Sequence, residues 1–246
     1  MIYVELVPKD IPQLVDDCHW IRAQFPNVVG INIPDILRVP NRSTTTSTTL
    51  SGHGINALPH IRVCDFSKDA LIATCQQLHH DGIHQVLLIS GDPPPNPLQP
   101  VFQHNITDII RLVCTHCPTL KVYAGYDPYR QSFKTEIEYA KQKLDAGASG
   151  LFTQPIFNPH MAHMLIEQCQ PCEWFIGISP VLTEKSHAYW VTRNNVVFPP
   201  NVELSLEYNI NLAKELLSVC NAHHQHNYIM PITTPIETYL PALFKA

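Results

Sequence analysis

Val86-Leu87-Leu88-Ile89-Ser90-Gly91-Asp92-Pro93-Pro94-Pro95 is an apolar, partly β-branched run that stops at Gly-Asp and three prolines. This pattern predicts a strand buried on both faces, as in a parallel sheet, running into a stiff turn. Asp92 then stands at the carboxyl end of a parallel strand, the end where such folds bind ligands. A lone aspartate in that place also suits the capping of a turn or of the next helix.

Outward from this run the same unit repeats. On its amino-terminal side, Ile2 to Pro8 reads as a strand and Ile11 to Phe25 as a helix, with Leu14, Val15, Cys18 and Ile21 at helical spacing. Asn27 to Pro34 is a second strand, and Leu58 to Phe66 a third carrying His60 and Arg62. The polar Ser/Thr run Ser43 to Thr49 between them reads as a mobile loop or lid. Ser67-Lys68-Asp69 opens a helix that closes at Asp81-Gly82. On the carboxyl-terminal side, helices at Ile106 to Cys117, Ser132 to Ala146, Pro159 to Gln168 and Thr183 to Arg193 alternate with strands at Leu120 to Tyr126, Gly150 to Gln154 and Trp174 to Ile178. Leu206 to Cys220, Tyr228 to Ile232 and Pro235 to Phe244 complete the series as helix, strand and helix.

Eight strands alternating with helices predict an α/β fold, an eight-stranded (βα)8 barrel of the TIM type, as a single domain over residues 1–246. A doubly wound open sheet would call for a glycine-rich first turn, and Pro8-Lys9-Asp10-Ile11 has no glycine.

The totals narrow the function. A net charge of −5 gives no basic footprint, so no nucleic-acid partner is expected. No apolar run reaches the length of a membrane span, and Met1-Ile2-Tyr3-Val4-Glu5 does not read as a secretory leader, so the expected location is cytoplasmic with no membrane association. The eight cysteines are expected to be reduced, and no metal is expected. Cys114 with Cys117 and Cys169 with Cys172 have ligand spacing, but lie in separate helix-to-strand connections. Homo-oligomerisation is left open.

Near the strand carboxyl ends stand Glu5, Asn32, His60, Asp92, Tyr126 with Asp127, and Thr153 with Gln154. Glu5, enclosed by Val4, Leu6 and Val7, is expected to be desolvated and shifted upward toward use as a general acid. The competing reading is an outward-facing Glu paired with a helix lysine. Two carboxylates in unlike surroundings, Glu5 and Asp92, would divide the acid and charge-stabilising roles. With neither a Ser-His-Asp set nor a phosphate loop, the lining suits a cofactor that brings its own reactivity.

Val4-Glu5-Leu6-Val7-Pro8, Pro59-His60-Ile61-Arg62, Leu88-Ile89-Ser90-Gly91-Asp92-Pro93-Pro94, Ala124-Gly125-Tyr126-Asp127-Pro128, Lys143-Leu144-Asp145-Ala146-Gly147-Ala148 and Phe152-Thr153-Gln154-Pro155-Ile156-Phe157 follow one another as they do in methylenetetrahydrofolate reductases. The chain resembles that family from Ile2 to about Pro180. The resemblance implies a barrel that binds FAD, takes hydride from NADH or NADPH, and reduces 5,10-methylenetetrahydrofolate to 5-methyltetrahydrofolate. It implies Glu5 as the acid that protonates the folate ring nitrogen, and Asp92 as the carboxylate beside flavin and pterin. Asn32, His60, Ser90, Gly91, Asp92, Ala124, Tyr126, Glu136 and Lys143 would contact the cofactor, Lys143 at its diphosphate. Gln154, Ser186 and Trp190 would contact the folate. Where the family has an Asn-Arg pair that grips folate, this chain has Ile232-Thr233-Thr234-Pro235. That departure leaves open a related flavoenzyme of another one-carbon pterin, methyl-folate oxidation, or a noncatalytic folate-binding subunit of a methyl-transfer complex.

Overall fold

The computed structural model describes residues 1–94, 96 and 98–245. Pro95, the last proline of the run quoted above, lies outside the described residues. In chain order the elements are β1 (Ile2–Glu5), α1 (Ile11–Gln24), β2 (Val28–Ile33), α2 (Ser43–Gly52), β3 (Ala57–Arg62), α3 (Lys68–His80), β4 (Gln85–Ile89), α4 (Ile106–His116), β5 (Lys121–Tyr126), α5 (Phe133–Asp145), β6 (Gly150–Pro155), α6 (Pro159–Gln168), β7 (Glu173–Ile178), α7 (Glu184–Asn194), α8 (Leu206–Ala222), β8 (His226–Ile229) and α9 (Ile236–Phe244). The strands pair in parallel in sequence order, and β8 closes on β1. This is the predicted barrel.

Local chemistry sets the boundaries. Asp10, Ser67, Asn105, Ser132, Asn158, Thr183 and Ser205 each accept a backbone N–H from the first turn of the helix they open. Each such cap is worth about 1 kcal/mol. Gly82, just past α3, has φ +85, the left-handed conformation that ends a helix. Three strands differ most from expectation, the first being β1, which ends at Glu5 and not at Pro8. β3 stops at Arg62 and gives way to a 3-10 turn, Val63–Asp65. β8 begins at His226, because its pairing with β1 starts with Asn227 donating to the Met1 carbonyl at 3.1 Å.

The Ser43 to Thr49 run is a correction to the sequence reading: it is helix α2, not a loop. Ser43, Thr46, Ser47 and Leu50 recur at helical spacing and are buried, so one face of the helix packs although it is mostly hydroxyl-bearing. Ser43 Oγ donates to the His60 carbonyl, fixing α2 to β3.

The side chains form two layers. Outside the strands, Leu14, Ile21, Ile61, Leu71, Leu88, Ile109, Leu151, Leu165, Trp174 and Leu216 belong to the core under the helices. Inside the barrel, Tyr3, Leu58, Leu87, Tyr123, Phe152, Phe175, Tyr228 and Met230 form a second cluster. Phe152 and Phe175 stack with centroids 4.0 Å apart, and Tyr3 meets Phe175 edge-on at 5.3 Å. Gly30 makes room for this packing, since a Cβ there would lie 2.3 Å from Tyr3 Cε1. Gly30→Ala should therefore displace the Tyr3 ring and cost about 1–3 kcal/mol by overpacking. Urea denaturation reads this as a lower midpoint at constant slope; an unchanged midpoint would show that the ring moves aside freely.

No helix of the described residues is long and apolar enough to cross a membrane. All eight cysteines are free thiols, and among the described residues no three His, Cys, Asp or Glu side chains are grouped to hold a metal ion.

Candidate active site

Strand alternation determines which side chains reach the carboxyl-terminal mouth. On β1, Tyr3 is in the inner cluster, and Glu5, two residues on, follows it on the inner face. β2 pairs Asn32 with Glu5. β3 brings His60, which follows the inward-facing Leu58, and β8 brings Tyr228.

These four make one hydrogen-bonded group. The Tyr228 hydroxyl donates to Glu5 Oε2, and Asn32 Nδ2 lies 3.1 Å from His60 Nε2. Burial pushes the Glu5 carboxyl up to about 7, opposed by the Tyr228 hydrogen bond. Burial pulls His60 down to about 3, so the imidazole is neutral and its Nε2 accepts from the Asn32 amide. Burial and the neighbouring Glu5 charge raise Tyr228 well above 10, so it remains a donor. Asn32 is fully buried, yet its Oδ1 has no partner among the described residues. Sequence reasoning placed Glu5, Asn32 and His60 here but missed Tyr228. The period-2 series His226, Tyr228, Met230 along β8 was the available signal.

The opposite side of the mouth is open. A Cβ on Gly125 of β5 would meet only Ile89 Cγ2, at 3.8 Å. Gln154, two residues beyond the inward-facing Phe152, is exposed near the end of β6.

Past β4, Ser90 is exposed and its carbonyl accepts from Cys64 N at 3.2 Å. Gly91 has φ +81, and a Cβ there would lie 2.6 Å from Cys64 Sγ, so glycine is required at this turn. The exposed Asp92 is held through its carbonyl, which accepts from Arg62 Nη2. The stiffness expected of the prolines thus has a second source. Arg62 Nε also pairs with Asp65 at 3.1 Å, and Arg42 bridges Asp65 at 2.6 Å and Asp35 at 2.7 Å. This chain of charges ties together the segments that follow β2, β3 and β4, and was not read from the sequence.

A second group lies between β5 and α5. Glu136 is fully buried and takes both Arg130 Nε and Nη2, at 3.0 and 2.9 Å, with Gln131 at 3.0 Å. Lys143 Nζ donates to the Gly125 carbonyl at 2.7 Å and stands 4.1 Å from the Tyr139 ring centre. Burial brings the Lys143 ammonium down to about 8. Ala124 and Tyr126 belong to this layer and not to the barrel interior, because Tyr123 occupies the inner face of β5 and alternation turns its neighbours outward. Tyr126 packs on Trp174 at 5.2 Å, and its buried hydroxyl has no partner among the described residues.

The two outlying residues have structural roles. Ser186 Oγ donates to the Thr183 carbonyl at 2.8 Å in the capping box of α7. Trp190 is buried with Phe157, Val181 and Val196. Three residues past β8, in a stretch (231–235) that contains no arginine, Ile232 is half-exposed with φ 49.

Residues 19–228 match the family model described as methylenetetrahydrofolate reductase. The chain is 24% identical over 159 residues to 5,10-methylenetetrahydrofolate reductase of Salmonella typhimurium, covering 63% of this chain and 54% of that protein. It is 24% identical over 151 residues to the Escherichia coli protein of the same name, covering 59% and 51%. A probable methylenetetrahydrofolate reductase (NADPH) of Caenorhabditis elegans is 24% identical over 148 residues, 58% of this chain and 22% of that protein. The matched stretch spans about half the length of the bacterial relatives. Among solved structures, 2,3-dimethylmalate lyase superposes with a TM-score of 0.60 at 11% identity, over 100% of this chain and 80% of that one. Oxaloacetate acetylhydrolase gives 0.62 at 10% identity, over 97% and 78%. These two likenesses concern the barrel fold alone.

Proposed function

Because the chain belongs to the methylenetetrahydrofolate reductase family, we propose that it is a flavin-dependent reductase that converts 5,10-methylenetetrahydrofolate to 5-methyltetrahydrofolate with NADH or NADPH. The observation that carries this reading is Glu5: a carboxyl raised to about 7 at the barrel mouth is half-protonated near neutrality, as a general acid should be.

The residues fit FAD as cofactor. Asn32 Oδ1 and the Tyr126 hydroxyl are buried polar atoms that lack partners among the described residues, and the space over Gly125 suits a flat ring. Arg130, with its side chain 44% exposed, suits a diphosphate or other negative charge, whereas Lys143 and Arg62 are buried and already paired. On this reading Asn32, His60, Ser90, Gly91 and Asp92 would hold it from the β1–β4 side, while Ala124, Tyr126, Glu136 and Lys143, buried between β5 and α5, would act on it only through the surface they shape. Bound FAD would supply hydride transfer between the nicotinamide and the folate.

The chain's own groups supply proton and charge. Glu5 gives its proton to the folate ring nitrogen: the carboxyl O–H bond breaks, an N–H bond forms, and the five-membered ring opens to an iminium cation. The Asp92 carboxylate offers negative charge to that cation. Gln154 offers both a donor and an acceptor to the pterin edge. Ser186 and Trp190 would act on the folate only through the segment they stabilise. The reading takes the protein as cytoplasmic, with small-molecule partners.

Anaerobic mixing tests it. With FAD bound, NADH or NADPH should bleach the flavin absorbance, and 5,10-methylenetetrahydrofolate should restore it. Bleaching without recovery would reject this folate as acceptor. Protein that stays colourless after FAD is added would reject the flavin reading altogether. The half-exposed Ile232 in place of an arginine favours, as a second reading, reduction of another one-carbon pterin. Recovery of absorbance with that pterin alone would select it.

A further inference from the structure

We infer that Tyr228 is a positioning residue that directs the acid proton of Glu5 to Oε1, an inference that rests on the reading of Glu5 as proton donor. Tyr228 lies on β8, beside β1 in the closed barrel, and is buried in the inner cluster beneath the mouth. Its hydroxyl donates to Glu5 Oε2. Its pKa lies well above 10, so the phenol keeps its proton throughout the working range and can serve this contact as donor. With Oε2 already accepting, the proton of the neutral carboxyl is carried by the other oxygen, Oε1. After Glu5 has given it up, the same phenol stabilises the carboxylate left behind.

The phenol is itself flanked. Asn32 Nδ2 faces His60 Nε2 at 3.1 Å, and the Asn32 amide beside Tyr228 favours the phenol's ionised form, a smaller effect than burial and Glu5. The rings of His60 and Tyr228 meet at 6.3 Å. A neutral His60 accepts from Asn32, which fixes the amide beside the phenol. The strands around Glu5 therefore present Asn32 from β2, His60 from β3 and Tyr228 from β8. His60 and Tyr228 are the titratable members, and both are uncharged at neutral pH. The proton affinity of Glu5 is set by burial, which raises it, against the Tyr228 hydrogen bond, which lowers it.

Isotope-edited infrared spectroscopy of the Glu5 carboxyl in the full chain tests this without recourse to turnover. In Tyr228→Phe the ionised carboxyl loses its donor, so the midpoint should move upward from about 7. One hydrogen bond corresponds to a shift of about half to one pH unit. Folate reduction, which needs protonated Glu5, falls as pH rises through that midpoint, so its falling limb should move to higher pH in parallel. A merely structural tyrosine would not move the midpoint, and an unmoved midpoint in folded Tyr228→Phe overturns the inference. If that variant does not fold, 3-fluorotyrosine placed at position 228 keeps the shape and strengthens the donor. The midpoint should then move downward, and an unmoved or raised midpoint overturns the inference. The two readings separate cleanly: a shifted midpoint together with folate turnover surviving Glu5→Gln would remove the proton-donor reading and leave the contact standing.

Discussion

Glu5→Gln is expected to lower folate turnover by about 10²- to 10⁴-fold, the range for loss of a positioned proton donor, while NADH or NADPH still bleaches the flavin. The amide keeps the size of the carboxyl, and its oxygen still accepts from Tyr228, but it has no acidic proton to transfer. Anaerobic stopped-flow measurement of the two half-reactions provides the check, and equal failure of both would defeat the acid role. Stability should change as well. Glu5 ionises near 4.5 in an unfolded chain and near 7 in the folded one. Between those values the folded chain binds a proton that the unfolded chain has released. The contribution of Glu5 is therefore fully present below about 4.5 and lost as pH rises through about 7. Unfolding by urea at pH 5 and pH 8 should show this fall in the native chain and a flatter profile in Glu5→Gln.

Arg62→Ala should be the most destabilising of the substitutions considered, by about 3–5 kcal/mol, because removing one partner of a buried ion pair strands the other. The Arg62 and Asp65 side chains are only 6% and 7% exposed. Burial alone would raise the Asp65 carboxyl, but its hydrogen bonds and ion pairs with Arg62 and Arg42 hold it below the ordinary carboxylate range. That part of the stability is present above the usual aspartate pKa and is lost as pH falls through the depressed one. Arg62→Ala also releases the Asp92 carbonyl, so weaker folate reduction should accompany the lower melting temperature. The double change Arg62→Met with Asp65→Leu removes both charges and should recover much of the stability but not the activity. A single-variant loss below about 1 kcal/mol would show that water or Arg42 compensates the charge, contrary to the buried-pair cost.

The fold was legible because its signal repeats. Val86 to Ile89, Trp174 to Ile178 and the helices opened by Ser67, Ser132 and Asn158 each have the right period and the right cap. Helix α2 was hidden because its buried face is made of Ser43, Thr46 and Ser47, whose spacing is helical but whose polarity masks it. In the site, Glu5, Asn32 and His60 were legible from their places at strand ends. Ala124 and Tyr126 were assigned to the right strand, but the face each one takes depends on where the inward series starts, and Tyr123 sets it. Tyr228, and the Asp35, Arg42, Asp65 and Arg62 series, depend on contacts between residues far apart in the chain, such as the 223-residue separation between Tyr228 and Glu5.

The aromatic packing inside the barrel has a further consequence, for the route by which the acid is recharged. Tyr3, Tyr123, Phe152 and Phe175 are nearly solvent-free and fill the interior beneath the mouth. They form a dry floor under Glu5, so a proton spent in one cycle returns from the mouth, the same side by which substrate enters and product leaves. On the proposed reading, reloading of the donor is then coupled to emptying of the pocket.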